Sequence, residues 1–262
     1  MSQVRLLCAV LLVLACTQAV AQASEMGKLT VAFKPYRLGQ DTNITSTFEI
    51  WNSNGQLPAP PTGFELRFPT SLVFSTSGLG LATCNPAALE GGGVEGCSPN
   101  AQIGQGSATA VVPFGPDLVK EQSKVTLLKG PPQGEHVGVL IFSDGQTPVA
   151  AENLFQGELR ESGAFGTLLE TALPLIPSVP GAGDAVLTRM EVTIGPKGLT
   201  YYKHERGKVV AYHPRGFQVP ETCPPGGFQF GLTMQFADGA VVPATYTIPC
   251  PALPHRRRRA GL

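Results

Sequence analysis

The chain has 262 residues, a formal net charge of zero, and 15% charged against 42% apolar residues. That much apolar material supports a sizeable core and excludes disorder throughout, while the neutral balance gives no overall attraction to nucleic acid or acidic polymers. With 31 glycines and 24 prolines, the composition favours short strands joined by many turns over long helices.

The opening residues have the three parts of an export signal. A basic start ends at Arg5, an apolar run extends from Leu6 to Cys16, and Ala19, Ala21 and Ala23 offer small-residue cleavage sites. Cleavage is expected after Ala21 or Ala23, so residues 1–23 form the signal. The apolar run is shorter than the ~20 residues that a membrane-spanning helix requires, and no later stretch of that length escapes Pro, Gly or charge. The expected location is therefore secreted or cell-envelope, with no transmembrane span. Val13-Leu14-Ala15 before Cys16 loosely matches a lipobox, which makes a lipid anchor at Cys16 the alternative to free secretion.

From residue 24 to 252, β-branched and apolar runs alternate with turn residues about every dozen positions, the spacing of an antiparallel sandwich or barrel. Candidate strands are Lys28 to Phe33, Asn43 to Trp51, Gly63 to Phe68, Ser107 to Val112, Lys124 to Leu128 and Val137 to Phe142. Leu154 to Leu159, Thr167 to Leu173, Val186 to Ile194, Phe228 to Phe236 and Val241 to Ile248 complete the set. Ser46, Phe48 and Ile50 alternate with Thr45, Thr47, Glu49 and Trp51, and Met190, Val192 and Ile194 alternate with Arg189, Glu191 and Thr193. Such a period of two marks strands with one face in a core and one in water. The expected fold is an all-β antiparallel sandwich. Its Pro/Gly-rich loops include Leu57 to Gly63, Gly130 to Gly134 and Pro174 to Gly183, the last being either a crossover within one domain or the boundary of two lobes.

The last two strands are expected to form a hairpin. A two-residue Asp238-Gly239 loop would place the apolar set of one strand beside Pro243, Thr245 and Thr247, which wastes the pattern. A three-residue loop, Asp238 to Ala240, instead pairs Phe236 with Val242, Met234 with Ala244, Leu232 with Tyr246 and Phe230 with Ile248.

Four cysteines follow the signal, and spacing favours Cys84 with Cys97 and Cys223 with Cys250 as disulfides. The second would lock the open end of the hairpin. A zinc site lacks both C-x-x-C and a histidine at ligand spacing.

Three fragments, "LPAPPTGFELRFPTSLVF", "GLGLATCNPAALEGGGVEGCSPNAQIGQGSATA" and "TCPPGGFQFGLTMQFADGAVVPATYTIPCP", carry a resemblance. They resemble uncharacterised secreted Gly/Pro-rich β proteins of high-GC Gram-positive bacteria, in which one cysteine pair flanks a small loop and a second brackets a C-terminal hairpin. The resemblance implies the same disulfides and no catalytic residue. Ser98-Pro99 follows the second cysteine where the pattern has Pro directly.

Catalytic motifs are weak. Gly104-Gln105-Gly106-Ser107-Ala108 lacks the strand-turn-helix context of a nucleophile elbow or a phosphate cradle. His136, His204, His213 and His255 form no ligand motif, and Asp144-Gly145 and Asp238-Gly239 lack further oxygen ligands and read as turns. No cofactor or metal is expected. Glu49, Glu65, Glu158 and Glu191 would be the carboxylates available for glycoside hydrolysis, which solvated sheet faces explain equally well.

Two binding regions are candidates. Tyr201, Tyr202, Tyr212 and Phe217, interspersed with Lys203, Arg206, Lys208 and Arg215, would form a ligand face if exposed, the three tyrosines being the candidates, or else an ordinary strand pair. Arg256, Arg257, Arg258 and Arg259, in a basic tail over residues 253–262, would hold an anionic surface such as cell-wall polymer. The functional expectation is a non-catalytic envelope module, structural or adhesive, that contacts cell-wall polymer or another envelope protein; the alternative is a carbohydrate-binding or glycoside-hydrolysing protein.

Overall fold

The computed structural model describes residues 24–72, 79–147, 150–163, 166–177 and 183–251. The expected export signal with Cys16, and the tail with His255 and Arg256 to Arg259, lie outside the described residues.

Eleven strands form one antiparallel sheet: β1 (Glu25–Lys34), β2 (Asp41–Asn52), β3 (Pro61–Phe68), β4 (Gln102–Phe114), β5 (Asp117–Lys129), β6 (Val137–Thr147), β7 (Ala151–Glu161), β8 (Thr167–Ala172), β9 (Val186–Ile194), β13 (Phe228–Phe236) and β14 (Val241–Ile248). Three further short strands are β10 (Tyr201–Glu205), β11 (Lys208–Tyr212) and β12 (Phe217–Gln218). Each of the eleven expected strands has its counterpart, but several run longer than the pattern implied. β4 and β5 have 13 residues each.

The sheet order is β1-β2-β9-β4-β5-β6-β7-β8-β3-β13-β14, with β12 added to β2. The all-β antiparallel fold is as expected, but this continuous path does not confirm a sandwich: the sheet curls until β14 lies along β1 as a nearly closed barrel. Tyr36 fastens the two edges by donating its hydroxyl to the Pro249 carbonyl at 2.5 Å. The strands on either side of Pro174 to Gly183 belong to this same sheet, β8 between β7 and β3, and β9 between β2 and β4.

Alternation decides what faces inward. Ser46, Phe48 and Ile50 of β2 are buried, as are Met190, Val192 and Ile194 of β9, whereas Trp51 and Glu191 lie on the outer face. Aromatic side chains cluster in the interior. Phe33, Phe68, Phe228 and Phe230 meet edge to face with ring centroids 5.3 to 6.0 Å apart.

β5 and β6 break the alternation, because Val125–Leu128 and Gly138–Phe142 are buried on both faces. The cover on their outer side comes from the Cys84–Cys97 excursion. There a helix, α1 (Pro86–Gly92), capped by the Asn85 side chain and started by Pro86, buries Leu89 against Leu128, Leu140 and Phe142. The excursion was expected only as a small loop. Both expected disulfides are formed, Cys84–Cys97 and Cys223–Cys250.

The β13–β14 hairpin keeps its expected faces but not its expected register. Phe230 pairs with Tyr246, Leu232 with Ala244 and Met234 with Val242, so every pair is displaced by two residues. The loop is Ala237-Asp238-Gly239. Phe236 donates its amide to the Ala240 carbonyl at 3.0 Å, while Ala237 donates to Pro60 next to β3 and is thereby taken out of the hairpin ladder.

Candidate functional site

The outer face of the sheet carries the glutamates singled out in the sequence, and each is held by an arginine. Arg189 on β9 reaches both Glu49 on β2 and Glu191 two residues along its own strand. Arg67 pairs with Glu65 on β3, and Arg160 on β7 approaches Glu158 and Glu170. These carboxylates are paired along and across strands on the outer face of the sheet, the solvated-face alternative, and none belongs to the lining of the cavity inside the barrel. Ser107 lies mid-strand, opposite Lys124 and Glu191, with no helix after it. His136, His204 and His213 are exposed, and no group of three His, Cys, Asp or Glu side chains converges among the described residues.

The tyrosine region is a hairpin, β10–β11, turning at Arg206-Gly207, where both residues take positive φ. Tyr201 is fully buried and donates its hydroxyl to the Gln102 carbonyl at 2.5 Å, and burial pushes its pKa far above the ordinary tyrosine value. Its neighbour Tyr202 points the other way and is exposed, its backbone held at both N–H and C=O by the Asn100 carboxamide. Tyr212 has Lys203 Nζ 3.7 Å above its ring. The three tyrosines therefore share no exposed face: Tyr201 anchors the hairpin, and an aromatic platform for a sugar is not assembled there.

What the sequence reading missed lies inside the barrel. On the side of β4, β5, β6, β7 and β9, the inward positions are small: Ala108 and Ala110 on β4, Ser123 on β5, Ser143 on β6, Ala151 on β7, and Ala185 just before β9. Where such side chains replace phenylalanine, the walls stand too far apart to touch, and a partly enclosed cavity of about 460 Å³ remains. Phe64, Ala108, Val125, Ile141 and Met190 belong both to its lining and to the main core, so the cavity continues the barrel interior. Leu173 to Pro177 close one side, tied to the sheet where Leu173 donates to Thr62 and Ala185 to Ile176, both at 2.8 Å.

The mouth is apolar as well. β4 and β5 continue beyond the packed interior to a tight turn after Phe114, and Phe114 (55% exposed) lines the cavity at this rim. Among the described lining residues the polar ones form a stripe across three neighbouring strands, Glu121, Ser123, Ser143 and Asn153. Ser143 donates to Ser123 at 2.8 Å. Burial raises the Glu121 carboxyl above its ordinary value.

No family model, curated protein or solved structure matches this chain. The class defined by the fold is therefore a coarse one. It is an all-β, antiparallel, disulfide-bonded chain whose barrel-like sheet encloses an apolar cavity. Two disulfides fit an oxidising, extracytoplasmic environment, and among the described residues no helix is long and apolar enough to cross a membrane.

Proposed function

We propose that this protein is a non-catalytic exported module that holds a small lipophilic molecule inside its barrel. The observation that carries this reading is the cavity of about 460 Å³, whose lining is overwhelmingly aliphatic and aromatic and whose rim opens beside Phe114. Leaving an apolar space of that size unfilled forfeits the dispersion and burial energy that the rest of the barrel collects. A ligand restores it. Export is supported by the signal-like residues 1–23, by the two disulfides, and by the resemblance to secreted Gly/Pro-rich proteins of high-GC Gram-positive bacteria. Attachment to cell-wall polymer through Arg256 to Arg259 stays a proposal about a segment outside the described residues.

The test is titration of the mature protein with Nile red, an uncharged dye that brightens in apolar surroundings. The wild type is expected to give a saturable increase in emission. Ala110→Phe, which fills the space from the β4 wall, is expected to abolish it while leaving far-ultraviolet circular dichroism and the thermal transition in place. Equal binding by both proteins would remove the cavity as the site.

A further inference from the structure

Resting on the reading of the cavity as a ligand site, we infer that its ligand is an amphiphile whose head is a hydrogen-bond-donating cation, received by Glu121.

Glu121 differs from the arginine-paired glutamates of the outer face in having no cation among the described residues, and from the likewise unpaired but exposed Glu152 in facing the cavity. Glu49, Glu65, Glu158, Glu170 and Glu191 each stand beside an arginine, whereas among the described residues Glu121 has neither an ion pair nor a hydrogen bond. The cause is its place on the strand. Val119, Glu121, Ser123 and Val125 alternate toward the cavity, while Lys120 and Lys124 of the same strand are exposed on the opposite face. A carboxylate on a mostly apolar inner wall is disfavoured unless a partner arrives, and none of the described side chains supplies a cation.

Its position is set by the neighbouring strand. β5 and β6 shift register between Gln122 and Ser123, which brings Gly145 opposite Ser123. The Glu121 carboxyl lies against the backbone of Gly145, in the space that a Cβ would occupy. Glycine at this position lets the carboxyl lie flat on the wall and leaves the lumen open to a ligand.

The rest of the stripe completes the seat. Asn153 stands directly across the β6–β7 ladder from Ser143, faces the cavity, and has no hydrogen-bond partner among the described residues. Its carboxamide oxygen and the Glu121 carboxylate are both acceptors belonging to residues of the cavity lining. An ammonium head satisfies both, through charge-assisted hydrogen bonds, while its chain lies among Val112, Leu187, Met190 and Ile176. A carboxylate or phosphate head meets like charge at Glu121, so one residue both selects and rejects.

The test compares decylamine, decanol and decanoate as displacers of Nile red from the mature protein at about pH 8, where the amine is protonated and carboxylates are ionised. Decylamine is expected to displace the dye at a concentration about tenfold lower than decanoate, the scale of one hydrogen bond to a charged group. Glu121→Gln is expected to collapse that ratio toward unity, and Lys120→Gln, on the other face, is expected to leave it intact. Displacement by decanoate as effective as by decylamine, or an unaltered ratio in Glu121→Gln, overturns the assignment of the head. Failure of the wild type to bind Nile red at all defeats the cavity reading first, so the two failures are told apart.

Discussion

The two ends of the barrel interior are built from the same alternating strands and differ chiefly in the size of what points inward. At one end Phe33, Phe68, Phe228 and Phe230 fill the lumen and lock edge to face; at the other, Ala108, Ala110, Ser123 and Ser143 leave it open. Phe64 belongs to both. The difference separates stability from binding within one sheet. The aromatic end buries the area that holds the fold, and the small-residue end is free to leave that area to a ligand.

The comparison breaks most readily at Phe230. It is fully buried and packs on Phe33 and Phe68, so Phe230→Ala is expected to cost about 3 to 5 kcal/mol in chemical denaturation. Nile red binding at the far end should survive wherever the variant is folded. A cost under about 1 kcal/mol would mean that the aromatic end can collapse around the loss, and the division of labour would fail.

The Cys223–Cys250 bridge ties the chain entering β13 to the end of β14, on the aromatic side, across 27 residues of sequence. Replacing both cysteines by serine is expected to lower stability by about 3 to 4 kcal/mol through the freed unfolded chain. The dye affinity should stay unchanged. If affinity fell with stability, the hairpin would be shaping the cavity and the two ends would not be independent.

The aromatic end was legible in the sequence and the open end was not, for a physical reason. Phe228, Phe230, Leu232, Met234 and Phe236 announce a buried face by strict alternation, and the strand bounds of β9, β13 and β14 follow from such runs. Alternation fixes a face but is blind to a shift of two residues. The hairpin register was therefore decided by something outside the pattern, the hydrogen bond of Ala237 to Pro60 in the approach to β3. Helix α1 had a sequence signal in Asn85-Pro86, an N-cap followed by proline, which the glycines at 91–93 obscured. The cavity had none. Its small residues are dispersed over several strands, and an alanine facing a void looks in sequence like an alanine under a neighbour's side chain. Glu121 sits in a run, Lys120-Glu121-Gln122-Ser123-Lys124, that reads as a wet strand until the barrel closes around every second residue.

Glu121 also gives the smallest effect and the one that sharpens the comparison most. Burial raises its carboxyl above the ordinary value of 4.5 in the folded protein, so in the interval just above that value the folded state holds a proton that the unfolded chain has released. Stability contributed by this group therefore declines as pH rises through the interval, and above it the cost of an unpaired inner-wall carboxylate is fully present. Removing the charge removes the cost. Glu121→Gln is expected to melt slightly higher than wild type near neutral pH, with the gain vanishing once the pH drops below about 4.5, where both states of the wild type are protonated. Glu49→Gln, whose parent carboxylate is paired with Arg189 in solvent, is expected to show no such gain at neutral pH. Thermal scans of both variants across that range check the contrast. A Glu121→Gln protein less stable than wild type at neutral pH would mean that the carboxylate already has a favourable partner, and the inner wall would then be as self-sufficient as the outer one.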